Sequence, residues 1–263
     1  MQNITLPTEV QNFIMSFSNL AEVEAIMLAG SQTTGKADPS SDYDFYIYTN
    51  SPVPLESRLP ILQKHCKYVE PNNTFWETED NGTLNCGSDF DLVYRSINDF
   101  FGFAKAKNDC MASVGYSTCL WANVVNSVII FDRSGKGKDL QTAFGTDSPD
   151  KLAENIIHKN RLLLSGTMPA YDHQIAKAVR RGDIVNVHNR IDAFLTSYFD
   201  ILFALNRIPH LGEKRQVTYL SERATLLPHN FTENVSALLN CSPTDERIMD
   251  IVDRMVKELD KIL

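Results

Sequence analysis

Long apolar runs are missing from this sequence, and without a stretch of about 18 such residues no membrane-spanning helix is expected. The opening MQNITLPTEV has neither a basic start nor an apolar run behind it, so no secretory leader is expected and the chain reads as cytoplasmic. Cysteine is sparse as well. The five present (Cys66, Cys86, Cys110, Cys119 and Cys241) are odd in number and widely separated, with no C-x-x-C pair. That pattern argues against a disulfide framework or a thiolate zinc site and for reduced thiols. Runs of basic residues are also absent: 25 Lys and Arg stand against 33 Asp and Glu, for a formal net charge of −8. A polynucleotide-binding surface needs positive charge, so neither DNA nor RNA is expected as a partner, and a small, cationic one suits the balance better.

What is present is enough apolar residue to build two cores: 43% of 263 residues are hydrophobic. Val10, Phe13, Ile14, Phe17 and Leu20 recur at helical spacing behind Pro7 and predict an amphipathic first helix. Ala25 to Ala29, AIMLA, is a short apolar run halted by Gly30 and reads as a buried strand. Asp42 to Thr49, DYDFYIYT, reads as a second strand and Phe90 to Arg95, FDLVYR, as a third behind the turn-rich NGTLNCGS. Residues 55–66 look helical, and 97–131 mix a helix with the apolar stretch VVNSVIIF. The loop at Ser134 to Lys138 marks the expected exit from a first domain of residues 1–138. Beyond it, in residues 139–263, apolar residues from Ile184 to Leu205 recur at three and four, predicting an all-helical second domain.

Two phosphate-handling motifs overlap between Gly30 and Asp44. GSQTTGK, Gly30 to Lys36, spells a P-loop up to its lysine, but Ala37 stands where the metal-binding hydroxyl belongs. Asp38-Pro39 would also stop the helix that should begin there. The competing reading uses Gly30-Ser31 with Asp42 and Asp44. Two aspartates two apart on a strand point the same way, and hard divalent ions favour carboxylate oxygens. Two such ions about 4 Å apart can clamp both oxygens of an in-line phosphoryl displacement. Asp91, flanked by apolar Phe90 and Leu92-Val93, is the expected third carboxylate, with Asp89 as its nearby competitor.

Ala29-Gly30-Ser31, ten intervening residues and then Asp42-Tyr43-Asp44-Phe45 resembles the G-S…D-x-D signature of the DNA polymerase β-like nucleotidyltransferase superfamily. The aminoglycoside- and lincosamide-modifying nucleotidyltransferases belong to it. The resemblance covers roughly residues 20–95 by motif. It implies an α/β (α+β) fold, a small mixed-sheet nucleotidyltransferase domain followed by an all-helical C-terminal domain. It further implies that Gly30 and Ser31 meet the triphosphate. Ser41 is a further candidate beside it, and Lys36 is either an ordinary surface lysine or a phosphate contact reached from the loop. Asp42, Asp44 and Asp91 then form the catalytic and metal-binding set for two Mg²⁺ ions, with ATP as donor of AMP to a hydroxyl of a small-molecule, aminoglycoside-like acceptor. Some antibiotic-modifying relatives build their cleft from two subunits, which makes a homodimer compatible with the resemblance.

Glu77 and Glu79, in FWETEDNG, are candidates to act as general base or to bind an amino group of the acceptor, and an acidic edge or turn explains them equally well. Arg95 reads as a structural ion-pair partner. The basic stretch from His173 to Arg190 reads as charged helix faces around a turn at Arg181-Gly182-Asp183. Two other functions share these features: an adenylyltransferase that modifies a protein, including the antitoxin kind, and a non-catalytic nucleotide-binding protein.

Overall fold

The structure is a computed structural model that describes residues 5–34 and 41–263. The elements run α1 (Thr8–Phe17), β1 (Val23–Leu28), α2 (Ser31–Thr34), β2 (Tyr43–Thr49), α3 (Leu55–His65), β3 (Cys66–Asn73), β4 (Thr78–Leu84), β5 (Asp89–Ser96) and α4 (Ile97–Asn108). They continue as α5 (Cys119–Val125), β6 (Val128–Asp132), α6 (Lys136–Phe144), α7 (Asp150–Leu164), α8 (Tyr171–Arg180), α9 (Ile184–Leu205), α10 (Gln216–Arg223), α11 (Phe231–Asn240) and α12 (Arg247–Asp260).

The strands form one six-stranded mixed sheet in the order β3-β4-β5-β2-β1-β6. Only β2 and β5 run parallel; the other neighbours are antiparallel. A parallel pair needs a crossover connection, and α3 with the β3–β4 hairpin supplies it. Alternation along the strands then sorts the sheet into two unlike faces. Tyr43, Phe45 and Ile47 of β2 lie in register with Phe90, Leu92 and Tyr94 of β5 and pack into one apolar cluster. Val10, Phe13, Ile14 and Phe17 of α1 and Leu62 of α3 complete that cluster, with the Phe13 and Phe90 rings 4.7 Å apart. The opposite face carries Asp44, Tyr46 and Tyr48 beside Asp91, Val93 and Arg95.

The β3–β4 hairpin was not legible as strand, and much of NGTLNCGS is strand end rather than turn. Asn81 to Leu84 belong to β4; the reversal into β5 is made by Cys86 to Ser88, where Gly87 has φ +98° and Leu84 N–H bonds Ser88 O at 2.8 Å. TEDNGTL is poor in strand-forming residues, so pairing and one buried anchor hold it instead. Arg58 of α3 donates to Asp80 at 2.8 Å, and Asp80 also accepts from Tyr94 Oη at 2.7 Å and Asn72 N–H at 2.8 Å. Both charges are buried, and the Arg58 guanidinium lies 4.5 Å from the centre of the Tyr94 ring.

The loop at Ser134 to Lys138, expected to lead out of the first domain, instead starts a helix of that domain. Asp132, at the end of β6, accepts the backbone N–H groups of Gly135, Gly137 and Lys138 at 3.0, 3.1 and 2.9 Å. Gly137 lets α6 press against β1: a Cβ there would sit 2.9 Å from Ala25 Cβ. The compact units accordingly comprise residues 1–105 with 123–146, and 106–122 with 147–263, so a single cut after Lys138 does not separate them.

The second unit is helical throughout its described elements after Asp150, as the spacing predicts. Val187, Ile191, Phe194, Leu195, Tyr198, Ile201 and Leu202 of α9 are buried in one cluster with residues of α8, α11 and α12. Ile184, at the start of that stripe, is exposed. Gly182 with φ +64° turns the chain between α8 and α9, and Asp183 caps α9 through the N–H of Asn186. Among the described residues no helix is long and apolar enough to cross a membrane.

Candidate active site

The site face of the sheet is built by register. Asp44 and Asp91 are direct partners across the parallel β2–β5 pair, so two like charges face each other on neighbouring strands. Such a pairing is destabilising unless a cation resides between the carboxylates. Asp42 lies just before β2, and its carbonyl accepts from Gln32 Nε2 at 3.3 Å. Asp42, Asp44 and Asp91 are each half-buried and offer one carboxylate oxygen apiece, all within 4.8 Å of one another. Among the described residues this is the one cluster of at least three potential metal-ligating side chains. An all-oxygen, multiply anionic donor set of this spacing fits a hard divalent ion such as Mg²⁺ or Mn²⁺.

Gly30 closes the other side. Its φ is +67°, and a Cβ there would stand 1.8 Å from Asp44 Oδ2, so the position is open only to glycine. Ala29 N–H bonds the Asp44 carbonyl at 2.8 Å, tying the end of β1 to the start of β2. Ser31 begins α2 and Ser41 precedes Asp42, both half-buried. Ser31 to Thr34 make one helical turn directly after Gly30, which a phosphate-wrapping P-loop would not do. Lys36 lies outside the described residues.

The two glutamates separate. Glu77 pairs through both oxygens with Arg95, Nε at 2.9 Å and Nη2 at 2.6 Å. Arg95 is buried and stacks 3.8 Å from the centre of the Tyr46 ring, the structural ion pair its sequence position suggests. Burial pushes the Tyr46 hydroxyl above its ordinary range, although the adjacent guanidinium pulls it down. Glu79 instead accepts from Asn81 Nδ2 at 3.1 Å, and the same nitrogen donates to Asp91 Oδ1 at 2.7 Å. Asp89 shares the face of Asp91 but is exposed, and it accepts from Thr83 Oγ1 at 2.7 Å. Asn81 was not singled out in the sequence; its signal is the β4 register opposite Asp91, invisible until β4 is known to be a strand.

Residues 10–74 match the family described as the nucleotidyltransferase domain. The match spans α1 through β3 and includes Gly30, Ser31, Asp42 and Asp44; Asp91 joins them by geometry. Residues 10–74 thus carry a nucleotidyltransferase domain, of the class that moves a nucleotidyl group from a nucleoside triphosphate, in keeping with the resemblance of the G-S…D-x-D signature. No curated protein matches the chain. Solved structures similar to it include the following three. A nucleotidyltransferase-like protein from Exiguobacterium sibiricum is 13% identical with a TM-score of 0.47, over 97% of this chain and 73% of that one. An aminoglycoside 6-adenyltransferase from Bacillus subtilis is 9% identical with a TM-score of 0.32, over 98% and 90% of the two chains. The CCA-adding enzyme of Thermotoga maritima, complexed with tRNA, is 12% identical with a TM-score of 0.31, over 99% and 83%.

Proposed function

We propose that this chain is a metal-dependent adenylyltransferase that moves AMP from Mg-ATP to a hydroxyl of a small, cationic acceptor. The observation that carries the reading is the trio of carboxylate oxygens of Asp42, Asp44 and Asp91 gathered within 4.8 Å. In the reaction the acceptor oxygen bonds the α-phosphorus, the bond from that phosphorus to the bridging oxygen of the β-phosphate breaks, and pyrophosphate leaves. Asp42 and Asp44 would hold two Mg²⁺ ions, with Asp91 holding one of them; when bound, the ions supply charge neutralisation for the phosphates and activation of the acceptor oxygen. Asp91 also takes up the acceptor's proton. Gly30, by lacking a side chain, keeps Asp44 directed at the site, and Ser31, Ser41 and Lys36 belong to the triphosphate end.

Acceptor chemistry follows from charge. Glu79 adds a fourth carboxylate beside Asp91 on the same face, within a chain of net charge −8. Ammonium groups on an aminoglycoside-like acceptor would find partners there, whereas a polyanion would be repelled. Glu77, both of whose oxygens are held by Arg95, is the weaker acceptor ligand of the two.

Mass spectrometry of Mg-ATP reactions with aminoglycosides, lincosamides and bacterial lysate tests this, with Asp42→Asn as control. A gain of one AMP on a small molecule, absent with the variant, is the expected result. AMP found only on a lysate protein would replace the small acceptor by a protein one. Full turnover by Asp42→Asn would discard the site itself.

A further inference from the structure

We infer that Asn81 is a positioning residue for Asp91, holding the third carboxylate of the site and coupling it to Glu79. The inference rests on the reading of Asp42, Asp44 and Asp91 as the metal-holding set. Asn81 of β4 is the direct antiparallel partner of Asp91, and Asp91 is the direct parallel partner of Asp44. One row of side chains therefore crosses three strands on one face of the sheet: amide, carboxylate, carboxylate.

The amide orientation follows from its neighbours. Asn81 Nδ2 has two protons; one meets Asp91 Oδ1 at 2.7 Å and the other Glu79 Oε2 at 3.1 Å. Both partners are carboxylates, which accept but do not donate when ionised, so only the nitrogen can face them. Asn81 Oδ1 then takes a donor from the other side, Asn73 Nδ2 of β3, at 3.3 Å. Asparagine supplies what the position needs. It gives a charge-assisted hydrogen bond to each carboxylate without adding a positive charge that would compete with a bound cation for them.

The consequence for Asp91 is directional. One of its oxygens is engaged from the β4 side, while Asp44 faces it from the β2 side. The carboxylate is thereby held against the rotation that repulsion from Asp44 would otherwise drive. Ligand-orienting partners of this kind are commonly worth about 10–100-fold in metal affinity. Glu79, held by the same amide, shares this support and is fixed in its distance from Asp91.

Direct Mn²⁺ binding, followed by the electron paramagnetic resonance signal of the free ion, tests this without recourse to turnover. The proteins to compare are wild type, Asp91→Asn, Asn81→Leu and Asn81→Thr; threonine is included because it favours a strand yet is too short to reach both carboxylates. Circular dichroism and Tm report which variants keep the fold. Asp91→Asn should lose most of its affinity, and each folded Asn81 variant should weaken by about 10–100-fold. A folded Asn81 variant with wild-type affinity overturns the role of Asn81. Wild-type affinity in Asp91→Asn overturns the metal-site reading beneath it, so the two failures are distinct. The wild-type chain gives a check that needs no variant: the Asn81 side-chain NH₂ resonances should shift on Mg²⁺ titration with the affinity of the site. Resonances unmoved at saturation overturn the inference.

Discussion

Asp42, Asp44 and Asp91 in the sheet unit and Asp200 in the helical unit are the same side chain in opposite settings. The first three stand half-buried with oxygens inside 4.8 Å, like charges crowded on the open face of a sheet. Asp200 is 1% exposed on α9 and, among the described residues, has no cation as a hydrogen-bond partner. It accepts from Ser117 N–H at 3.0 Å, Ser117 Oγ at 2.7 Å and Asn160 Nδ2 at 3.0 Å. Burial raises its pKa to about 6, although the bonds from Ser117 and Asn160 pull it down. Crowded charge at a half-open site stores repulsion that a bound cation can relieve, whereas a solitary buried carboxyl with neutral donors serves to pin a loop. Here that loop is the segment around Ser113 to Ser117, which Asn160 also holds through Gly115 N–H at 3.1 Å and Ser113 O at 3.3 Å.

In the sheet unit the most damaging single change is at Gly30. Gly30→Ala forces a Cβ into the space of Asp44 Oδ2 and places a non-glycine residue at φ +67°. The backbone strain alone is about 1–2 kcal/mol, but the larger effect is displacement of Asp44. Transfer should fall to the level of Asp44→Asn while the chain stays folded, as activity assays beside thermal melts would report. Turnover within a few-fold of wild type would show that Asp44 is not held by that contact. Next in size is the anchor beneath the hairpin. Arg58→Leu leaves Asp80 buried and charged with only Tyr94 and Asn72 as donors. Breaking a buried pair in this way costs about 3–5 kcal/mol, readable in urea unfolding. A cost under about 1 kcal/mol would mean that the hairpin relaxes to let water in.

These sites differ in how far the sequence discloses them. The helices were legible because long periodic stripes outlast local exceptions; α9 follows its spacing from Val187 to Leu202. Gly30, Asp42 and Asp44 lie within a short stretch where motif and strand coincide, and Asp91 follows from the apolar residues around it. The β3–β4 hairpin was hidden because its residues prefer no strand, and it is held by distant partners, β5 through pairing and Arg58 through Asp80. With β4 unseen, Asn81 and the separation of Glu79 from Glu77 were unreadable too. The helix α6 was missed because its start, SGKGKD, is built like a turn; the Asp132 carboxylate captures its first amides.

In the helical unit the test is pH, because Asp200 is accompanied there by a group of opposite behaviour. His210 is fully buried between the rings of Phe203 and Tyr116, at 4.3 and 4.9 Å, and burial lowers its pKa to about 4. Its Nδ1 accepts Gly212 N–H at 3.0 Å, which leaves the proton on Nε2. Between about pH 4 and 6 the folded state keeps the Asp200 proton that the unfolded chain releases, so Asp200 makes stability fall as pH rises. Over about the same window, up to pH 6.5, the unfolded chain binds a proton on His210 that the folded state refuses, so His210 makes stability rise with pH. Each effect is on the order of 3 kcal/mol and the two oppose each other. Wild type should therefore show a shallow dependence from this pair. Asp200→Asn should expose a rising slope and His210→Phe a falling one, in urea unfolding at pH 4.5 and 6.5. Equal slopes in all three proteins would remove both groups from the account.

The smallest effect returns to the crowded aspartates and has a sign that a purely structural cluster would not give. Without divalent ions, three carboxylates within 4.8 Å repel one another, by about 1 kcal/mol per pair at high effective dielectric. Asp42→Asn removes two of those three pairings and makes the metal-free chain more stable by up to about 2 kcal/mol, a Tm rise of a few degrees in EDTA. With Mg²⁺ present the order should reverse, because wild type gains stability from binding the ion and the variant gains less. A variant less stable than wild type in EDTA would mean that Asp42 is held by favourable bonds rather than crowded by its neighbours. The contrast with Asp200 would then lose its first term.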